Sequence, residues 1–140
     1  MRASDLLTPD LVTVDTDASV ADAARAMLAA DVGSVLVTDG DTPAGIVTTT
    51  DAVRAGLAAG APLGDVPVTS AMSAPVRSVR PDASVDQLAE AFERHGVKRS
   101  LVRDGLTVHG IVSVTDLAYA QGDIHRELVR SMDRRREWER

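Results

Sequence analysis

Residues Leu7–Arg54 align without a gap on Met72–Tyr119 of the same chain, at a constant offset of 65 positions. Between Val14 and Arg54, 18 of 41 positions are identical to their counterparts. A duplication this regular restricts the fold to two like units built by like local rules. The most compact shared stretch is Gly45-Ile46-Val47-Thr48-Thr49-Thr50-Asp51, repeated as Gly110-Ile111-Val112-Ser113-Val114-Thr115-Asp116. In each, a β-branched run is followed by a hydroxyl and then by a carboxylate where a helix should begin.

Each copy reads as strand, helix, strand, strand, helix, which is an α+β fold of tandem pseudo-twofold βαββα repeats. In the first copy Leu11–Val14 is extended, and Ser19 is an N-cap with Asp22 three residues on. Val20, Ala23, Ala24, Met27 and Leu28 form the apolar stripe of an amphipathic helix. Val35–Thr38 and Ala44–Thr48 are strands joined by a turn at Asp39-Gly40, and a helix follows from about Asp51. The second copy repeats the pattern with Val76–Val79, a capping box at Ser84 and Gln87, and the stripe Val85, Leu88, Ala89 and Phe92. Ser100–Arg103, the turn Asp104-Gly105 and His109–Ser113 make its hairpin, and a last helix begins near Asp116.

The expected divisions are residues 1–60 for the first repeat, 61–71 for a linker and lead-in, 72–122 for the second repeat and 123–140 for a charged helical tail. The Ala-, Gly- and Pro-rich Ala55–Thr69 reads as a fraying helix end and linker. In the tail, Ile124, Leu128 and Met132 recur every four residues, with Arg126, Arg130 and Arg134 as a basic stripe. The tail is either a solvated helix over part of the core or a contact surface. Each copy has about 50 residues and one apolar sheet face, too little for comfortable independent folding, so the two are expected to share an interface.

Composition limits the function. Hydrophobic residues make up 44% and aromatics 2%, so the core is aliphatic and few platforms exist for stacking single-stranded bases. The net charge of −6 argues against a general nucleic-acid binder. That charge is uneven: residues 1–69 sum to −7 and residues 70–140 to +1, so an anionic ligand finds its counter-charge in the second half. No cysteine is present, which removes disulfides and thiolate metal sites. The start shows no apolar signal segment, and no stretch approaches the ~20 apolar residues that span a bilayer. A cytoplasmic location is expected, with no nucleic-acid or membrane partner. His95, His109 and His125 are scattered, so no metal site is expected, and His109 reads as a turn residue. No Ser-His-Asp set with telling spacing is found, so no catalytic residue is assigned and the chain is not read as an enzyme.

The tandem repeat, with Gly-aliphatic-aliphatic-Thr/Ser-x-x-Asp closing each copy, resembles the CBS domain pair, or Bateman module. Leu7-Thr8-Pro9 and Met72-Ser73-Ala74 resemble its Met-Thr-Pro lead-in, and Asp17-Ala18-Ser19-Val20 and Asp82-Ala83-Ser84-Val85 resemble its first-helix start. The resemblance covers residues from about 5 to 120. It implies a regulatory, non-catalytic module with two related ligand sites in the cleft between the repeats, binding AMP, ADP, ATP or S-adenosylmethionine. It also implies a homodimer and a protein target that reads the ligand state. Carried over, Asp51 and Asp116 would bond ribose hydroxyls, and Thr48 and Ser113 would face the phosphate. The family's basic residues near the second strand, here Lys98 and Arg99, would reach phosphates held at Asp51. The corresponding Gly33 and Ser34 would leave the Asp116 site to a neutral or cationic adenosyl group, or leave it empty. Thr50 and Thr115 stand where well-matched nucleotide binders carry Arg, which removes one phosphate contact.

The residue chemistry agrees with either of two uses. A carboxylate accepts two hydrogen bonds from a cis-diol, and free amides at a helix N-terminus favour an anion. Ser/Thr-x-x-Asp before a helix is equally a capping box. The rival to a ligand sensor is therefore a dimerisation or adaptor module with vestigial sites.

Overall fold

The computed structural model describes residues 1–9 and 11–120. Its elements run α1 (Ala3–Leu6), β1 (Thr13–Asp15), α2 (Val20–Ala30), β2 (Ser34–Asp39), β3 (Thr42–Thr48), α3 (Thr49–Ala59), β4 (Ser78–Val79), α4 (Val85–His95), β5 (Arg99–Asp104), β6 (Thr107–Ser113) and α5 (Val114–Ala120). Two 3-10 turns, Leu63–Asp65 and Val68–Ser70, follow α3. The α+β class and the twofold repetition are as the sequence implies. The expected tail helix lies outside the described residues.

The compact units cut the chain differently from the sequence repeats. One unit takes Asp10–Val76; the other joins Met1–Pro9 to the chain from Arg77 onward. In the first, β1 pairs in parallel with β2, and β2 antiparallel with β3. The second is built likewise from β4, β5 and β6. The parallel pair needs a crossover, which α2 and α4 supply. Both helices open on the expected boxes: Ser19 Oγ accepts the Asp22 N–H at 3.1 Å, and Ser84 Oγ accepts the Gln87 N–H at 3.1 Å. In the first box, the Ser19 N–H and hydroxyl hold the Asp22 carboxyl below its ordinary value, with Arg25 adding a smaller pull. Because the folded form is the lowered one, that stabilisation is present at neutral pH and is lost on acidification through the folded value.

One sheet face carries the core of each unit. Val35, Val37 and Val47 meet Val20, Ala23 and Met27 of α2 and Ala52 of α3. In the other unit Val102 and Val112 meet Leu88, Phe92 and Leu117. At the repeat offset Phe92 stands at the position of Met27 and fills the same place. Ser100 replaces Val35 and is buried; its hydroxyl bonds the Arg77 carbonyl at 3.3 Å and the Leu101 carbonyl at 3.1 Å, so the polar atom is satisfied. Leu28 departs from the expected stripe. It is 80% exposed and falls outside the buried positions of α2, which are Val20, Ala21, Ala23 and Met27.

The segment expected as a linker is part of the core. α3 continues to Ala59 and stops at Gly60, which takes the left-handed conformation that glycine adopts without strain. Val66 and Val68 are buried beyond it. The Val20 N–H donates to the Val66 carbonyl at 2.8 Å, and the Val68 N–H to the Ala18 carbonyl at 3.0 Å. In the other unit the N-terminal segment does the same: Ala3 is fully buried, and its N–H donates to the Ala83 carbonyl at 2.8 Å. Sequence offers a reason only in retrospect. At the repeat offset residues 1–9 fall on residues 66–74 with no identical position, yet this sets Ala3 against Val68, both buried apolar anchors.

After its anchor each lead-in becomes an extra edge strand. Thr8 bridges Ile111, and Ser73 bridges Ile46, both antiparallel. The approach is closest over Gly110, where an added Cβ would collide with the Thr8 carbonyl oxygen. Over Gly45 an added Cβ would lie 2.7 Å from Met72 Sδ and 2.9 Å from the Ser73 carbonyl oxygen. Next to each glycine the ladder slips, between Val37 and Thr38 and between Val102 and Arg103. The extra residues are Ala44 and His109, so His109 is an exposed bulge residue within β6 and not the turn residue expected. Gly110→Ala should lower the unfolding free energy by about 2 kcal/mol or more, the cost of forcing a backbone off its seat. Gly45→Ala should cost less, since the Met72 side chain can yield and the nearest backbone atom, the Ser73 carbonyl oxygen at 2.9 Å, intrudes less than the Thr8 oxygen does over Gly110. Urea unfolding of both variants gives the comparison.

Candidate functional site

β3 runs into α3, and β6 into α5, with no loop between them. Such a junction leaves the first N–H groups of the helix unsatisfied unless local side chains take them. Thr48 Oγ1 accepts the Asp51 N–H at 3.1 Å, and Asp51 Oδ2 accepts the Thr48 N–H at 2.9 Å. Ser113 Oγ accepts the Asp116 N–H at 3.1 Å, and Asp116 Oδ2 accepts the Ser113 N–H at 2.8 Å. The next amide turns to the neighbouring strand. The Thr49 N–H donates to the Gly33 carbonyl at 3.3 Å, and the Val114 N–H to the Lys98 carbonyl at 2.9 Å.

Both carboxylates are thus caps, and neither is sealed in. The Asp51 side chain is 16% exposed, with Oδ1 3.8 Å from Arg54 Nη1. Asp116 is likewise partly buried. The box engages Oδ2 alone in each case. The residues flanking the hydroxyls differ. Ser34 lies opposite Thr48 in the β2–β3 register, whereas Arg99 lies opposite Ser113 in the β5–β6 register. Paired positions in an antiparallel ladder set their Cβ atoms about 5 Å apart on one face. Lys98 is exposed beside that pair and Arg99 is half-buried. Arg99 therefore stands across from Ser113 of its own repeat, the Lys98 backbone carbonyl takes the Val114 N–H, and Thr48 and Asp51 belong to the other compact unit.

Two residues of the lead-ins Leu7-Thr8-Pro9 and Met72-Ser73-Ala74, given no site role by the sequence, border the junctions. Thr8 runs beside Ile111, two residues before Ser113, and Ser73 beside Ile46, two residues before Thr48. The signal for them is the pair of glycines, Gly45 and Gly110, whose missing side chains admit a neighbouring backbone. Elsewhere in the second repeat a shallow groove runs past Arg80, Asp82, Glu90 and Arg94, but its charges pair with one another. Among the described residues no group of His, Asp and Glu is placed to hold a metal ion. No described helix is long and apolar enough to cross a membrane.

Two three-stranded βαββα units, each ending in a hydroxyl–carboxylate cap, define the class. The CBS-domain family model matches residues 3–58 and again 63–123, and the chain belongs to the CBS-domain family. An uncharacterized Bacillus subtilis protein, YlbB, is 35% identical over 122 residues, covering 86% of this chain and 82% of its own. A CBS-domain containing protein of Agrobacterium tumefaciens superposes with a TM-score of 0.73 at 32% identity, covering 86% of this chain and 98% of that one. The hexameric CBS-CP12 protein from bloom-forming cyanobacteria superposes with a TM-score of 0.77 at 30% identity, covering 89% of this chain and 73% of that one. Proteins built on a CBS pair are generally regulatory modules.

The capping role has a measurable size. Thr48→Ala and Ser113→Ala should each lower the unfolding free energy by about 1 kcal/mol. Ser113→Thr, which keeps the acceptor, should stay within about 0.5 kcal/mol of the parent. Chemical denaturation followed by circular dichroism distinguishes these outcomes.

Proposed function

We propose that the protein is a non-catalytic regulatory module that binds an adenosine-containing ligand, AMP, ADP, ATP or S-adenosylmethionine. Asp51 and Asp116 bond the ribose hydroxyls, Thr48 and Ser113 face the phosphate or its substitute, and Lys98 and Arg99 supply positive charge to a phosphorylated ligand. The protein acts in the cytoplasm as a homodimer and passes its ligand state to a protein target. The observation that carries this reading is the duplicated cap in which Asp51 and Asp116 commit one carboxylate oxygen to the helix and keep partial exposure. A carboxylate held this way is already aimed, so a diol meets a charged acceptor without first ordering it.

The adaptor reading, in which the module only holds chains together, is favoured by a different fact. Every cap bond at Asp51 and Asp116 is explained by helix geometry without a ligand.

A thermal-shift series with AMP, ADP, ATP and S-adenosylmethionine separates the two. A ligand present at 100 times its dissociation constant adds about 2.7 kcal/mol, enough to raise the melting temperature by several degrees. Asp51→Asn and Asp116→Asn keep a cap acceptor but lose its charge, and each should weaken binding at its own site by ~10-fold or more. Lys98→Ala with Arg99→Ala should weaken ATP more than S-adenosylmethionine. No shift with any of the four compounds would leave the adaptor reading standing.

A further inference from the structure

The two compact units exchange short segments, and they do so symmetrically. Thr8 packs in the unit that holds the second repeat, yet the chain leaving it enters β1 of the other unit. Ser73 packs in the unit that holds the first repeat, and the chain leaving it enters β4 of the other. The bonds that seat them recur at the offset of 65. The Thr8 N–H donates to the Ile111 carbonyl at 2.9 Å, and the Ile111 N–H donates back to the Thr8 carbonyl at 3.3 Å. Ser73 and Ile46 exchange the same two bonds at 2.9 and 3.1 Å. A pair bonded both ways holds a chain firmly on the neighbouring strand.

Four positions further on, each chain is tied down again, now in the other unit. The Val12 carbonyl accepts the Leu36 N–H at 2.9 Å, and the Arg77 carbonyl accepts the Leu101 N–H at 2.9 Å. Four residues reach at most ~14 Å. Each stretch also includes a proline, Pro9 in one and Pro75 in the other, whose ring fixes φ. A tether so short and stiff has little slack to absorb a shift at one end. What it pulls on is weakly held. β1 has three residues and β4 two, and each lies at the edge of its sheet beside a single strand. Edge strands this short open at a fraction of the cost of global unfolding. A long linker, or a lead-in seated on the sheet of its own repeat, would isolate the two units instead.

We infer that each lead-in is a strap through which the state of one repeat's strand-to-helix junction reaches the edge strand of the other repeat's unit. Thr8 lies beside Ile111, two residues before Ser113, so a shift of that junction is passed along the strap to β1. Ser73, beside Ile46 and two residues before Thr48, passes a shift of the other junction to β4. The coupling runs both ways, as an equilibrium coupling between two places does. It rests on the ligand reading above only for what sets the strap in motion.

Amide hydrogen exchange on the full chain tests it with no ligand present, so its failure and the failure of the ligand reading are distinguishable. In Gly110→Ala the new methyl group meets the Thr8 carbonyl and unseats the strap. Three amides then answer separate questions. Ile111, bonded to Thr8, reports the unseating, and Leu36, bonded to Val12, reports the β1 edge in the other unit. Ala23, buried in α2 and bonded to Ser19, reports any wider opening of that unit. Ile111 and Leu36 should each exchange ~10-fold faster or more while Ala23 stays within ~3-fold of the parent. In Gly45→Ala the corresponding amides of Ile46 and Leu101 should quicken more weakly, with Leu88 unchanged. Ala3→Gly loosens the first lead-in without a clash, by removing a buried methyl group, and should quicken Ile111 and Leu36. Fast Ile111 with unchanged Leu36 overturns the inference, as does a rise in Leu36 no larger than that in Ala23. So does an Ile111 amide unchanged in both Gly110→Ala and Ala3→Gly, because the strap then does not move.

Discussion

Two hydrogen bonds exchanged between a hydroxyl and a carboxylate three residues later fix the turn from strand to helix in both repeats. No loop separates these elements, so the direction of the helix depends on that exchange. The direction matters because the residue after each aspartate is a core residue. Ala52 and Leu117, at equivalent positions, are buried against the sheet while Asp51 and Asp116 stay partly exposed. One register of the helix therefore settles both packing and the presentation of the carboxylate. A slip of one residue would bury a charge and expose the apolar anchor, and burying an unpaired carboxylate is prohibitively costly.

The sheets could not end at β3 and β6 alone. Each is only three strands wide and presents unpaired backbone at its edge. The lead-ins cover part of that edge, and they can do so only because Gly45 and Gly110 have no side chain there. The bulges at Ala44 and His109 fall immediately before these glycines and bend the strand where the lead-in arrives. Edge cover, bulge and glycine are one device, used twice.

Much of this was legible in the amino-acid order. The capping boxes at Ser19 and Ser84, the Asp39-Gly40 and Asp104-Gly105 turns, and the strands carrying Val35–Thr38 and Ser100–Arg103 follow from local rules that depend on a few residues. What sequence missed depends on distant partners. Ala3–Leu6 is a single helical turn with no periodicity to detect, and it is held by Pro81 and Ala83. Val66 and Val68 sit among Gly, Pro and Asp, so composition reads as linker although both valines are buried. Leu28 fits a helical stripe by spacing, yet the stripe is wider than the face that the sheet covers. At the site, sequence named the hydroxyl–carboxylate pairs and the Lys98-Arg99 step, and the hydrogen bonds show the pairs as caps. It did not place Arg99 across from Ser113, because register is a property of two strands and not of one.

Cap and ligand contact are not exclusive uses of a carboxylate. A capping aspartate gives one oxygen to an amide, and that bond holds the side chain in a single rotamer. Ordering a free side chain for binding costs roughly 0.5–1.5 kcal/mol, a cost the cap has already met during folding. On the proposed reading the same residue offers a ligand its second oxygen in a set direction, at the positive end of a helix. At Asp51 that oxygen faces Arg54 at 3.8 Å, a distance at which an exposed pair is held weakly. At the corresponding position the second repeat has Tyr119 in place of Arg54, while Arg99 stands across the strands where the first repeat has Ser34. The two junctions share their cap and differ in where their positive charge comes from: along the helix in one, across the sheet in the other. Divergence of that kind leaves the folding role of the duplicated motif intact and lets its two copies present different electrostatic surroundings.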